Sequence, residues 1–125
     1  MKFIKSFKYA IAGFLHCIRR ERNFRLHLIA AVLVIALAIY FNLSIYEFLM
    51  IITAIAIVLI CEMINTAIER TIDAIRELDD RENPEIDKLR KIGKDVAAGA
   101  VFISSIFAVV IGIIIFLPHI LEVLR

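Results

Sequence analysis

Little in this chain would staple a small soluble or secreted fold together. Its two cysteines, Cys17 and Cys61, lie far apart and form no CxxC pair. Neither a disulfide framework nor a zinc site is expected from them. No low-complexity stretch and no linker rich in proline and glycine divides the 125 residues, so the chain reads as one domain. A GxxxxGK(S/T) phosphate loop is missing, and no GxGxxG follows a strand, which excludes both common glycine-rich phosphate cradles. No Ser/His/Asp set stands out. His16 and His27 lack metal-ligand spacing, and His119 lies beyond the last apolar run. The basic N-terminus has no continuous apolar core, because Lys5 and Lys8 interrupt it and Arg19-Arg20-Glu21-Arg22 follow. A signal peptide is therefore not expected.

What the chain has in excess is apolar side chains, at 62%. Ordinary soluble domains carry about 45–50%. Residues 1–22 read as an amphipathic helix. Phe3, Phe7, Ile11, Phe14 and Ile18 form one stripe, flanked by Lys2, Lys5, Lys8, Arg19, Arg20 and Arg22. That combination suits a membrane surface. Residues 26–43 form a first span, in which only His27 is potentially charged. After the short turn at Asn42-Leu43-Ser44, a second helix covers 45–78. It crosses the membrane and continues as a polar cytoplasmic extension. Asn83-Pro84 breaks the chain, residues 85–95 form a short cytoplasmic helix, and 96–117 form an uncharged third span that stops at Pro118. Along this last span Ala100, Ser104, Ala108 and Gly112 make a ladder of small residues that permits close helix–helix approach. The expected fold is all-α, with three transmembrane helices and an N-terminal surface helix.

Charge sets the orientation. Seven Lys and Arg residues precede Leu26, and seven more lie between Glu62 and Asp95. The turn at Asn42 has none, and the C-terminal tail has Arg125 alone. By the positive-inside rule, the N-terminus and the long loop are cytoplasmic and the C-terminus is outside. Both cysteines then face the reducing side as free thiols.

The chemistry concentrates on the second helix. Glu62, Asn65, Glu69 and Asp73 recur at i, i+3, i+7 and i+11, one stripe of carboxylates and an amide at the cytoplasmic end of a membrane-length helix. Stacked like charges repel, so the stripe needs a cation, a basic partner or a phosphate–metal complex. Glu21, Asn23 and His27 before the first span, and Lys94 and Asp95 before the third, share that membrane level. Carboxylates with an amide are hard oxygen ligands suited to Mg²⁺, and Lys suits phosphate oxygens. A carboxylate at the interface can accept a proton from a lipid hydroxyl. Together these are the parts that phosphoryl transfer requires. The competing class is a non-enzymatic scaffold or cation transporter subunit using the stripe as an ion path. A transporter would bury charge near mid-span, whereas here the strong charges lie toward the cytoplasmic end.

Two motifs give a resemblance. Glu62-Met63-Ile64-Asn65-Thr66-Ala67-Ile68-Glu69 with Asp73, followed by Lys94-Asp95-Val96-Ala97-Ala98-Gly99-Ala100-Val101, resembles the small prokaryotic lipid kinases of the diacylglycerol kinase family. Phe7-Lys8-Tyr9-Ala10 with Gly13, and Glu21-Arg22-Asn23-Phe24-Arg25-Leu26-His27, extend the likeness over nearly the whole chain. The last segment and the Lys94 motif resemble the undecaprenol kinase branch of Gram-positive bacteria. The resemblance implies an integral membrane homotrimer with active sites shared between subunits, ATP as phosphoryl donor, and a lipid alcohol as acceptor at the cytoplasmic membrane surface. Undecaprenol is the favoured acceptor and diacylglycerol the alternative. It implies Glu62 as general base, Glu21 and Glu69 as holders of Mg²⁺ on the nucleotide, and Lys94, Asp95 and Tyr9 as nucleotide contacts. Asn65 and Asp73 match further polar active-site positions. In one respect the chain departs from the family: residues 79–87, Asp-Asp-Arg-Glu-Asn-Pro-Glu-Ile-Asp, are longer than the usual loop and lack its histidine. No nucleotide contact is assigned there.

Overall fold

The computed structural model describes residues 2–78 and 83–125, with side chains from Ile4 onward. Four helices make up these residues: α1 (Lys2–Arg20), α2 (Arg22–Tyr40), α3 (Ile45–Leu78) and α4 (Pro84–Val123). The last three are long and apolar enough to cross a membrane. The apolar stripe expected on the first helix starts at Phe3, whose side chain lies outside the described residues, as do residues 79–82 of the divergent loop.

Local chemistry explains each boundary. Glu21 takes an extended conformation, φ −101° and ψ 114°, and separates α1 from α2. Arg25 secures that break by donating from Nη1 to the Arg19 carbonyl at 3.1 Å, which satisfies an orphan acceptor at the end of α1. The first span therefore begins as a helix at Arg22, earlier than the hydropathy pattern places it. At the other end, Asn42 adopts φ 50°, the left-handed region that Asn tolerates. Ser44 and Glu47 then form a capping box at the start of α3. The Ser44 backbone N–H donates to Glu47 Oε2 at 2.8 Å, and the Glu47 N–H donates to Ser44 Oγ at 3.4 Å.

The third part of the chain differs from the sequence expectation. A short helix over 85–95 and a separate span over 96–117 are replaced by one 40-residue helix, α4. Gly93-Lys94-Asp95 contains no residue that must break a helix, and Gly93 alone costs little against packing on both sides. Pro84 starts α4, and the Asn83 side chain caps it by accepting from the backbone N–H of Glu85 at 3.1 Å and of Ile86 at 3.4 Å. Pro118 does not end the helix. It lacks one donor near the terminus, and α4 runs on until the Leu124 N–H donates to the Ile120 carbonyl.

A buried apolar cluster lies far from the acidic stripe. Ala38, Ile51, Ile115 and Phe116 are buried there, with Val34, Phe41, Leu43, Phe48, Ile55 and Ile111 around them. His119 Nε2 meets Glu47 Oε1 at 3.1 Å and ties the end of α4 to the start of α3. The small-residue ladder faces inward for part of its length. Ser104 is buried, and Ala100, Ser104 and Ala108 line a gap against Ala54 and Ile57 of α3. Much of the rest of the apolar surface is uncovered: Val32, Leu33, Phe102, Phe107 and Ile114 are all more than half exposed. In a membrane such faces meet lipid or other helices.

Candidate active site

The candidate site starts at the α1–α2 break. Phe24 at the beginning of α2 is fully buried, and its ring meets Phe14 of α1 edge-on, with centroids 5.5 Å apart. Cys17 is buried beside Thr66 of α3, and that burial pushes its thiol pKa up against the hydrogen bond from Thr66. The thiol is thus a packing group, not a nucleophile. This small aromatic cluster fixes the position of Glu21, at the break, and of His27, one to two turns into α2.

Glu62 is buried, with 4% of its surface exposed. Its Oε1 lies 3.2 Å from His27 Nε2. Buried carboxylates require such a partner. One turn further along α3, Asn65 donates from Nδ2 to Glu69 Oε1 at 3.2 Å, and its own carbonyl oxygen is buried without a partner. Glu21 Oε1 accepts from Arg70 Nη2 at 2.7 Å. Glu21 and Glu69 both contribute to the electrostatic field at Glu62. Glu21, His27, Glu62, Asn65, Glu69 and Arg70 thus form one polar group at the α1–α2–α3 junction.

Asp73, Lys94 and Asp95 belong to a second group. Lys94 Nζ donates to Asp73 Oδ1. That hydrogen bond holds the Asp73 carboxyl below the usual carboxylate range. A polar cleft of about 390 Å³ between α3 and α4 is lined by Asp73, Arg76, Asp87, Arg90, Lys91, Lys94 and Asp95, with Ile72 at its base. Eleven helical steps carry the stripe from Glu62 to Asp73, roughly 16 Å of rise, and Arg70, paired with Glu21, also places its charge toward Asp73 between the two groups. Tyr9 joins neither within the chain; it stands 72% exposed on α1.

An apolar cleft of about 290 Å³ leads away from the first group. Its lining begins at His27, passes Ala31, Val34, Ala54 and Val58, and reaches Phe116. Space for a hydrocarbon chain therefore adjoins the partner of Glu62. Among the described residues no three His, Cys, Asp or Glu side chains converge as a closed metal cage. Mg²⁺ does not need one, since it is commonly held by one or two carboxylates together with substrate phosphates and water. Glu21 and Glu69, two carboxylates on different elements that both bear on Glu62, are of the chemical type that mode uses.

Residues 8–116 match the family model described as prokaryotic diacylglycerol kinase. The chain belongs to this family. It is a lipid kinase, and membership implies ATP as the phosphoryl donor. The multi-pass helical architecture places this kinase in a membrane. It is 40% identical to undecaprenol kinase of Bacillus subtilis, over 94% of this chain and 89% of the relative. It is 34% identical to a diacylglycerol kinase of Synechocystis, over 95% of this chain and 65% of the relative. A diacylglycerol kinase of Pseudomonas aeruginosa is 30% identical over 82% and 78% of the two chains.

Sequence spacing missed three features of the kinase. His27 had no partner within its own helix, so its approach to Glu62 depends on how α2 packs on α3. The same holds for Arg70 with Glu21. Arg76, Arg90 and Lys91, which in the sequence count only toward membrane orientation, come together with Lys94 in one cleft between α3 and α4.

Proposed function

We propose that this kinase transfers the γ-phosphoryl group of ATP to undecaprenol at the cytoplasmic membrane surface. The observation that carries the reading is the apolar cleft that adjoins His27 and therefore Glu62. It provides room for the first stretch of a hydrocarbon chain, next to the hydroxyl that would reach the buried carboxylate. The choice of undecaprenol rests on the higher identity to the Bacillus subtilis undecaprenol kinase than to the two diacylglycerol kinases. Diacylglycerol is the alternative acceptor.

In this reading Glu62 is the general base. The lipid oxygen attacks the γ-phosphorus; the new O–P bond forms as the bond to the β,γ-bridging oxygen breaks, and the hydroxyl proton passes to Glu62. ADP leaves, and Glu62 returns its proton to water. Glu62 suits the task because it is shielded from bulk water and held by a single named partner. Glu21 and Glu69 would hold Mg²⁺, which supplies neutralisation of phosphate charge when bound. Asn65, fixed against Glu69, orients that carboxylate. Lys94 would meet phosphate oxygens, with Asp95 and Tyr9 as further nucleotide contacts and Asp73 positioning Lys94.

The reading includes a homotrimer with shared sites, α1 lying on the membrane surface, and the N-terminus inside with the C-terminus outside. The separation of the Glu62 group from the Lys94 cleft within one chain supports sharing, as does the exposure of Tyr9. The exposed apolar faces of α2 and α4 support further helix packing. Parallel assays of undecaprenol and diacylglycerol in mixed micelles test the acceptor. Faster transfer to undecaprenol is expected; faster transfer to diacylglycerol would reverse the assignment while leaving the kinase intact.

A further inference from the structure

We infer that His27 is a positioning residue for Glu62, holding one oxygen of the carboxylate so that the other faces the lipid hydroxyl. The inference rests on the proposed role of Glu62 as general base and adds a residue to it. Geometry supports it from two sides. His27 Nε2 lies 3.2 Å from Glu62 Oε1, across the α2–α3 interface. The same ring lines the head of the apolar cleft. His27 is thus the side chain that touches both the space for the acceptor chain and the carboxylate that would take the acceptor's proton.

The proposed role fixes what the ring does. A general base must be ionised and an ionised carboxylate only accepts, so His27, 3.2 Å away, would meet it by donating from Nε2–H. A donor to one oxygen restricts rotation of the carboxyl group, stabilises its anionic form where little water reaches it, and leaves Oε2 for the substrate. Other groups face the same point. Glu69 from α3 and Glu21 from the α1–α2 junction place negative charge toward Glu62, with the Cys17 thiol on α1 nearby, while α4 presents Ser105 to the cleft. His27 is the donor set against the two carboxylates.

The test compares wild type with His27→Ala, His27→Gln and Glu62→Gln. Lipid phosphorylation is measured against pH and ATP concentration, and thermal unfolding is followed in the same detergent. For His27→Ala we expect kcat to fall about tenfold to a hundredfold, the cost of losing a hydrogen bond to a charged group. We expect KM for ATP to stay near wild type and the acid limb of the pH–rate profile to move to higher pH. That direction follows because a carboxylate deprived of its donor binds its proton more tightly. His27→Gln retains an N–H donor and is expected to recover most of the rate and the wild-type acid limb. A His27→Ala enzyme with wild-type kcat and an unmoved acid limb would overturn the inference. So would equal losses in His27→Ala and His27→Gln that track a common loss of thermal stability, because the ring would then be packing alone. Full activity in Glu62→Gln would instead overturn the underlying role of Glu62. An inactive Glu62→Gln beside an unaffected His27→Ala would remove His27 alone.

Discussion

In the proposed chemistry, single side chains around α3 take different roles. Glu62 is buried and partnered by His27, whereas Asp73, on the same helix, is half-exposed and partnered by Lys94. These environments predict different behaviour on substitution. Glu62→Gln keeps the shape and the hydrogen-bond capacity but loses the base. Its kcat is expected to fall by about 10²–10⁴-fold, with ATP affinity preserved in a direct binding measurement. For Asp73 the sign is set by its depressed pKa in the folded protein. The Lys94 pair contributes fully above the unfolded carboxylate pKa and is lost as pH falls through the lower folded one. Around neutral pH the pair is intact and insensitive to pH. A carboxyl-carbon NMR titration should place the Asp73 midpoint below the usual carboxylate range in wild type and raise it in Lys94→Met. An unchanged midpoint in that variant would mean that Lys94 does not hold Asp73 in solution.

The elements carry more than the sequence declares. The α3 bounds, 45–78, were legible because a long apolar run leads without a breaker into a helically spaced polar stripe. The joining of 85–95 with 96–117 was not, because a change from charged to apolar composition within one helix looks like a boundary between two. Close approach of α3 and α4 shows only in three dimensions. A Cβ added to Gly93 would lie 3.1 Å from Ile72 Cδ1, beside the Asp73–Lys94 pair. Gly93→Val is therefore expected to force the helices apart and to destabilise the protein by about 1–3 kcal/mol. Thermal unfolding in detergent would detect this, and a wild-type midpoint would show that Ile72 moves aside freely. The start of α4 is open to a separate test. Asn83→Ala removes the acceptor for two backbone donors and is expected to cost about 1 kcal/mol, seen as faster amide exchange in the first turn of α4.

At the scale of the whole molecule, the polar side chains of the proposed site gather around two centres within one chain. The Glu62–Glu69–Glu21 group lies against α1 and α2, the Lys94 cleft lies between α3 and α4, and Tyr9 stands apart from both. Residue identities and spacing put these residues forward as candidates, since carboxylates at helical intervals and a Lys-Asp pair are visible in one dimension. Their division into groups was not visible, because it depends on which face of each long helix a neighbour covers. The proposed sharing between subunits makes a specific expectation. Co-assembled Glu62→Gln and Lys94→Met chains, each inactive alone, should regain activity through sites that draw an intact residue from each. No recovery in verified mixed oligomers would place the whole site within one chain.

The most direct test of the central claim is phosphate transfer from radiolabelled ATP in mixed micelles. Undecaprenol and diacylglycerol are assayed in parallel, with wild type beside Glu62→Gln. The expected result is label chiefly on undecaprenol in wild type and almost none on either lipid in the variant. Label transferred equally well by Glu62→Gln would contradict the assignment of the buried carboxylate as the base.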